Sequence, residues 1–234
     1  SVFMTRRRLW LLLAATACFP AVVQPAGSAE PITVVTLGAS ITKGVRTGVK
    51  ADETFSAYLE KSLKAQGFDV AVVNVGIGGE RTDQALKRLD GDVIARKPAV
   101  VTIMYGTNDS YVDKGADSSR LTVEQFTNNL REIVARLRAA KIVPVLMTEP
   151  RWGDKASPNG AGEHPNMRLE EFLQAERRLA GELKVPLVDN YRAWSERRDK
   201  GTDIGAWTTD QCHPNAEGHQ FIAKTMLPVV TESL

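Results

Sequence analysis

The sequence predicts an α/β protein with a mainly parallel sheet of five strands covered by helices on both faces. Three observations carry this expectation. Strand-like and helix-like segments alternate along the chain. The strand-like runs are apolar along their whole length, as strands buried on both faces are. No repeat, low-complexity tract or linker divides residues 31–234. With 234 residues the chain can bury one sizeable core, and its 43% hydrophobic and 25% charged residues exclude disordered, collagen-like and polytopic membrane classes.

The elements follow in order. Pro31–Gly38 is a β-branched run ending in Gly and reads as the first strand. Residues 53–66 place Phe55, Leu59 and Leu63 on one helical face, and Gly67 stops the helix. Val70–Val75 is the second strand. Thr82–Lys97 reads as a helix with Ala85, Leu89 and Ile94 roughly in phase, ended by Pro98. Ala99–Tyr105 is the third strand. A long amphipathic helix starts after Thr122, whose capping partner is Gln125, and reaches about Ala140. Ile142–Thr148 is the fourth strand, Arg168–Leu183 a helix, Val185–Val188 a short fifth strand, and Asn215 to about Val230 a closing helix. The longest irregular stretch is Glu149–Met167, and loops of that length in compact domains tend to be functional.

Residues 1–29 read as a secretory signal peptide rather than as part of the fold. Arg6, Arg7 and Arg8 precede the apolar run Leu9–Ala17, and Gly27-Ser28-Ala29 closes the segment. The run is short of the roughly 20 apolar residues that span a bilayer, so no stable membrane insertion is expected. This places the protein outside the cytoplasm, secreted or periplasmic. Thr16-Ala17-Cys18 weakly resembles a lipoprotein cleavage site, which makes lipidation at Cys18 the lesser alternative. Without residues 1–29 the balance is 27 basic against 28 acidic residues, net −1. Such a chain offers no field for nucleic acid or other bulk anions. One cysteine, Cys212, then remains, so no internal disulfide is expected.

In open parallel sheets ligands bind at the carboxyl ends of the strands. After strand one stands Gly38-Ala39-Ser40-Ile41-Thr42, and after strand two Gly76-Ile77-Gly78-Gly79-Glu80-Arg81. After strand three stands Gly106-Thr107-Asn108-Asp109, and before the last helix Asp210-Gln211-Cys212-His213-Pro214. These four blocks, in this order, resemble the SGNH (GDSL-type) hydrolase family from Thr36 to the final helix. The resemblance makes residues 31–234 one SGNH hydrolase domain, a flavodoxin-like three-layer α/β/α sandwich.

The residue types suit that chemistry. A serine hydroxyl needs a base, and His213 can serve Ser40 while Asp210, three residues earlier, fixes the imidazole tautomer. The resemblance implies an oxyanion hole made by the backbone N–H groups of Ser40 and Gly79 and the Asn108 amide, with Gly79 letting the backbone approach a substrate closely. Asp109, Trp152 and Trp207 are expected near a substrate, where indole faces could stack on sugar rings. The implied reaction is hydrolysis of carboxylic esters through an acyl-serine, with short acyl esters or O-acetylated carbohydrate leading. Lysophospholipid or thioester hydrolysis and non-catalytic glycan binding are the alternatives.

Each block also has a plainer reading: Ser40 as a helix cap, the glycines as turn formers, Asn108-Asp109 as an Asx turn, and Asp210 as a cap for the last helix. One departure from the family pattern stands out. Ala39 occupies the position of its usual Asp, and Ile41 that of its usual Leu; Asn74 or Asp109 could replace the missing acid. His219, inside the last helix, is expected to pack or be solvated. Cys212, His213 and His219 match no zinc spacing, and no phosphate-binding loop is present, so neither metal nor other cofactor is expected. The sequence leaves the oligomeric state open.

Overall fold

The computed structural model describes residues 29–234. The signal peptide read at 1–29, Cys18 included, lies outside them but for its last residue. Among the described residues five strands form one sheet: β1 (Ile32–Gly38), β2 (Val70–Asn74), β3 (Val100–Met104), β4 (Val143–Thr148) and β5 (Leu187–Asp189). Every pairing is parallel, in the order β2-β1-β3-β4-β5. Parallel neighbours need crossovers, and these are α2 (Phe55–Ala65), α3 (Thr82–Arg88), α4 (Val123–Ala139) and α5 (Asn166–Leu183). The four-residue α1 (Ser40–Lys43) follows β1, while α6 (Asn190–Asp199) and α7 (Ala216–Ser233) follow β5.

Strand alternation sends side chains to two cores. Val35 and Leu37 of β1, Val101 and Ile103 of β3 and Leu146 of β4 pack with α3, α4 and α5. Val34, Val100, Met104, Val145 and Met147 pack on the other face with α2, α6 and α7. The sheet is thus the middle of three layers. Phe55, Leu59 and Leu63 are fully buried, as their helical spacing requires. The Thr122 hydroxyl accepts from the Gln125 N–H at 3.0 Å and the Gln125 side chain returns the bond to the Thr122 N–H at 2.9 Å, closing the capping box of α4.

Three elements depart from the expectation. The helix read at 82–97 ends at Arg88 and continues as one π-helical turn, Leu89–Val93, and one 3₁₀ turn, Ile94–Arg96. The wide turn buries Leu89 and Val93 completely and leaves Gly91 between two acids on the outside. The fifth strand starts at Leu187, because the Val185 N–H closes α5 on the Ala180 carbonyl at 2.9 Å. Helix α6 is additional. Its polar sequence turns only Asn190, Tyr191 and Trp194 inward, and the Asp189 side chain caps it by accepting from the Arg192 N–H at 3.1 Å.

Candidate active site

The chain leaves β1 for β2 on one side and returns through β3 on the other, so a crevice opens between the carboxyl ends of β1 and β3. The loops after β1, β2 and β3 meet there. Gly38 makes the first turn possible: a Cβ would overlap the Thr42 side chain and come within 2.8 Å of the Met104 carbonyl. The turn places half-buried Ser40 as the first residue of α1.

The fourth loop meets Ser40 from a distant part of the sequence. His213 Nε2 lies 2.9 Å from Ser40 Oγ across 173 positions of sequence. Its Nδ1 lies 2.7 Å from Asp210 Oδ2. The other carboxylate oxygen accepts the backbone N–H groups of Cys212 at 3.0 Å and His213 at 2.7 Å. Arg46 adds an ion pair to Oδ2 at 3.1 Å. Partial burial pushes the Asp210 carboxyl up, but the bonds from His213 and Cys212 outweigh it and hold the group below the usual carboxylate range. An ionised carboxylate accepts only, so the proton of His213 sits on Nδ1 and Nε2 is free to accept from Ser40.

The 210–213 loop is braced by Gln211, whose φ of +73° is unusual for a non-glycine residue. Its backbone N–H donates to Thr208 Oγ1 at 2.8 Å, and its carbonyl accepts the Gly153 N–H at 2.8 Å. Its amide lies so close to Gly153 and Gly205 that a Cβ at either would overlap it. The irregular 149–167 stretch is thereby tied to the histidine loop.

Asn108 Nδ2 donates to the Glu80 carbonyl at 3.2 Å, which uses one of its two protons, and its Oδ1 accepts from Arg120 at 3.3 Å. Gly79 is exposed and has φ +76°. A Cβ there would meet nothing within 4 Å, so its own loop asks for glycine by conformation rather than by crowding.

Asp109, Trp152 and Trp207 each make contacts within the fold. Asp109 is fully buried, and its carboxylate accepts the Thr82 N–H at the start of α3 at 3.1 Å. Burial raises its pKa to about 7 against that bond. It braces α3 instead of facing a substrate. Trp207 packs 5.3 Å from Trp194 and 4.8 Å from Phe221, centroid to centroid, so its indole belongs to the aromatic core. Half-buried Trp152 stacks at 6.3 Å on Tyr111 and exchanges two backbone bonds with the Asn166 side chain. His219 is fully buried, with Nδ1 accepting the Phe55 N–H at 3.0 Å. Burial, then the nearby His213, lowers its pKa to about 4. Among the described residues no group of three or more His, Cys, Asp and Glu is arranged to hold a metal, and no helix is long and apolar enough to cross a membrane.

The chain is similar to several known proteins. Residues 36–221 match the model of the GDSL-like lipase/acylhydrolase family. An acetylxylan esterase of Geobacillus stearothermophilus is 27% identical over 214 residues, covering 86% of this chain and 94% of that protein. An uncharacterized lipoprotein of Bacillus subtilis is 27% identical over 179 residues, 70% of this chain and 72% of its own. The crystal structure of a lipase/acylhydrolase from Enterococcus faecalis superposes with a TM-score of 0.70 at 24% identity, over 86% of this chain and 96% of that one.

Proposed function

The chain belongs to the GDSL-like lipase/acylhydrolase family, and on that premise we propose that it is a serine esterase acting through an acyl-Ser40 intermediate. The observation that carries the reading is the unbroken relay from Ser40 Oγ through His213 to Asp210, at 2.9 and 2.7 Å. Ser40 Oγ attacks the ester carbonyl while His213 Nε2 takes its proton. The carbonyl oxygen becomes an oxyanion, held by the N–H groups of Ser40 and Gly79 and by Asn108 Nδ2. The C–O bond to the alcohol breaks, and His213 returns the proton to the leaving oxygen. Water, deprotonated by the same imidazole, then attacks the acyl-enzyme and frees the acid and Ser40. Asp210 stays ionised throughout and stabilises the imidazolium.

Short acyl esters, O-acetylated carbohydrate among them, are the leading substrate class. The support is the acetylxylan esterase that matches along nearly its whole length and the export signal read at residues 1–29. A lipid acyl ester or thioester is the second reading. It is favoured by Val45 and Ile77, 46% and 45% exposed in the loops after β1 and β2. One experiment tests both levels. An organophosphonate probe should label the wild type and not Ser40→Ala, and folded wild type that resists labelling would leave a glycan-binding domain as the better account. A panel of acetylated xylo-oligosaccharides, lysophospholipids and acyl-thioesters, run beside Ser40→Ala, then separates the substrate classes; no turnover of any acetyl sugar removes the leading one.

A further inference from the structure

Beneath the loop that carries Gly79 lies a buried polar cluster that the mechanism above does not use. Glu80 is 5% exposed and Tyr105 is fully buried. The Tyr105 hydroxyl donates to Glu80 Oε2 at 2.6 Å. Arg88 holds both carboxylate oxygens, Nε to Oε1 at 2.6 Å and Nη2 to Oε2 at 2.7 Å. The same Nη2 donates to the Val75 carbonyl at 2.7 Å. One guanidinium therefore grips both ends of the 75–80 loop. The backbone of Glu80 is held too: its N–H donates to the Ile77 carbonyl at 3.3 Å, and its carbonyl accepts from Asn108 Nδ2 at 3.2 Å.

A buried ion pair adds little net stability over an apolar replacement, because both charges lose their water. What a forked arginine–carboxylate pair does supply is fixed geometry. Gly79 needs that from a neighbour. It is exposed, has no side chain, and nothing packs within 4 Å of where a Cβ would stand.

We propose that Glu80, clamped by Arg88 and Tyr105, is the positioning residue of the oxyanion hole: it fixes the Gly79 N–H through the adjoining backbone and Asn108 Nδ2 through its own carbonyl. The inference rests on the assignment of Gly79 and Asn108 as oxyanion donors. A donor held loosely costs less than one deleted. The expected loss is about tenfold, against ~10²–10³ for removing a donor.

The test uses purified wild type, Glu80→Gln, Tyr105→Phe and Asn108→Ala with p-nitrophenyl acetate. Rates are normalised to active sites counted with a phosphonate, so loss of folded protein does not enter. An alkyl boronic acid reports on the tetrahedral state. Glu80→Gln should lower kcat about tenfold per site and weaken the boronate by the same factor, with KM within about twofold. Tyr105→Phe, which loses one hydrogen bond and keeps the fold, should show the same pattern at about threefold. Should Glu80→Gln fail to fold, Tyr105→Phe decides. Unchanged kcat per site and boronate affinity in the variants, beside a large loss in Asn108→Ala, would overturn the positioning role alone. Unchanged values in Asn108→Ala would remove the oxyanion assignment and this inference with it.

Discussion

Asp210→Asn isolates the tautomer argument, because the structure dictates how the new amide must sit. Oδ1 of Asp210 accepts two backbone N–H groups, from Cys212 and His213. Only the amide oxygen can replace it there, so the NH₂ must take the place of Oδ2. That position faces His213 Nδ1 at 2.7 Å and Arg46 at 3.1 Å. A donor opposite Nδ1 turns that nitrogen into an acceptor and moves the ring proton to Nε2. Nε2 then points a hydrogen at Ser40 Oγ, 2.9 Å away, and cannot take its proton. The loss expected for a wrong tautomer in a triad is about 10⁴ in kcat, or about 5 kcal/mol of barrier. The assay is kcat for p-nitrophenyl acetate across pH 6–9, with thermal unfolding to confirm that the fold survives. A kcat within about tenfold of wild type would refute the argument, since the geometry allows the amide no other productive orientation.

Gly38→Ala should lower both stability, by about 1–3 kcal/mol, and activity, because its Cβ overlaps Thr42 in the turn that presents Ser40; wild-type values for Tm and kcat would contradict this. Asn74→Ala removes the amide that donates to the Thr42 carbonyl at 2.7 Å and accepts the Gly76 N–H at 2.9 Å. It should cost about 1 kcal/mol and several-fold in kcat, and a variant as active per site as wild type would show that the tether is not needed. Glu149 is fully buried, and burial raises its pKa from 4.5 to about 8. Between those pH values the folded chain keeps a proton that the unfolded chain has lost, so this group makes stability fall by up to about 1.4 kcal/mol per pH unit as pH rises, levelling off above about 8. Denaturant unfolding from pH 5 to 9 should show Glu149→Gln gaining on wild type over that window, and parallel profiles would refute the shift.

The parts of the fold legible in the sequence were those set by local pattern. Each of the first four strands is a run dominated by apolar and β-branched residues, α2 carries a clear apolar stripe stopped at Gly67, and α4 begins at the capping pair Thr122 and Gln125. Helix α6 was illegible because only three of its ten residues turn inward. The helix read at 82–97 broke at Asp90-Gly91-Asp92, residue types that hold an α-helix poorly, while Leu89 and Val93 stay buried. In the candidate site, Ser40, Asp210 and His213 stand in short blocks that the fold brings within hydrogen-bond reach of one another. The burial of Asp109 and the aromatic partners of Trp152 and Trp207 were not legible, because residue type says what a side chain can do and packing decides what it touches. Glu80 shows the limit most clearly. Its partners Arg88 and Tyr105 lie 8 and 25 positions away on different elements, and no local pattern joins them.

Ala39, where an acid was expected, becomes intelligible once the loops are seen as a braced set. The residue is 4% exposed, so a carboxylate there would have to be buried with enough donors to offset lost hydration. Here the serine turn is tied by neutral groups instead. The Gly38 carbonyl accepts the Ile77 N–H at 3.1 Å, and Asn74 links the Thr42 carbonyl to the Gly76 N–H. Asp109 stands on the far side of the second loop, at the start of α3, and serves a different joint. The first loop leans on the second, and the second on the third through Glu80 and Asn108. The strand order β2-β1-β3 sets the first loop beside both of the others, and the bond from Asn108 to the Glu80 carbonyl joins the second and third directly. A turn braced by amides carries no titrating acid beside the nucleophile. It leaves Asp210 as the carboxylate hydrogen-bonded to His213, and the mechanism needs no second one.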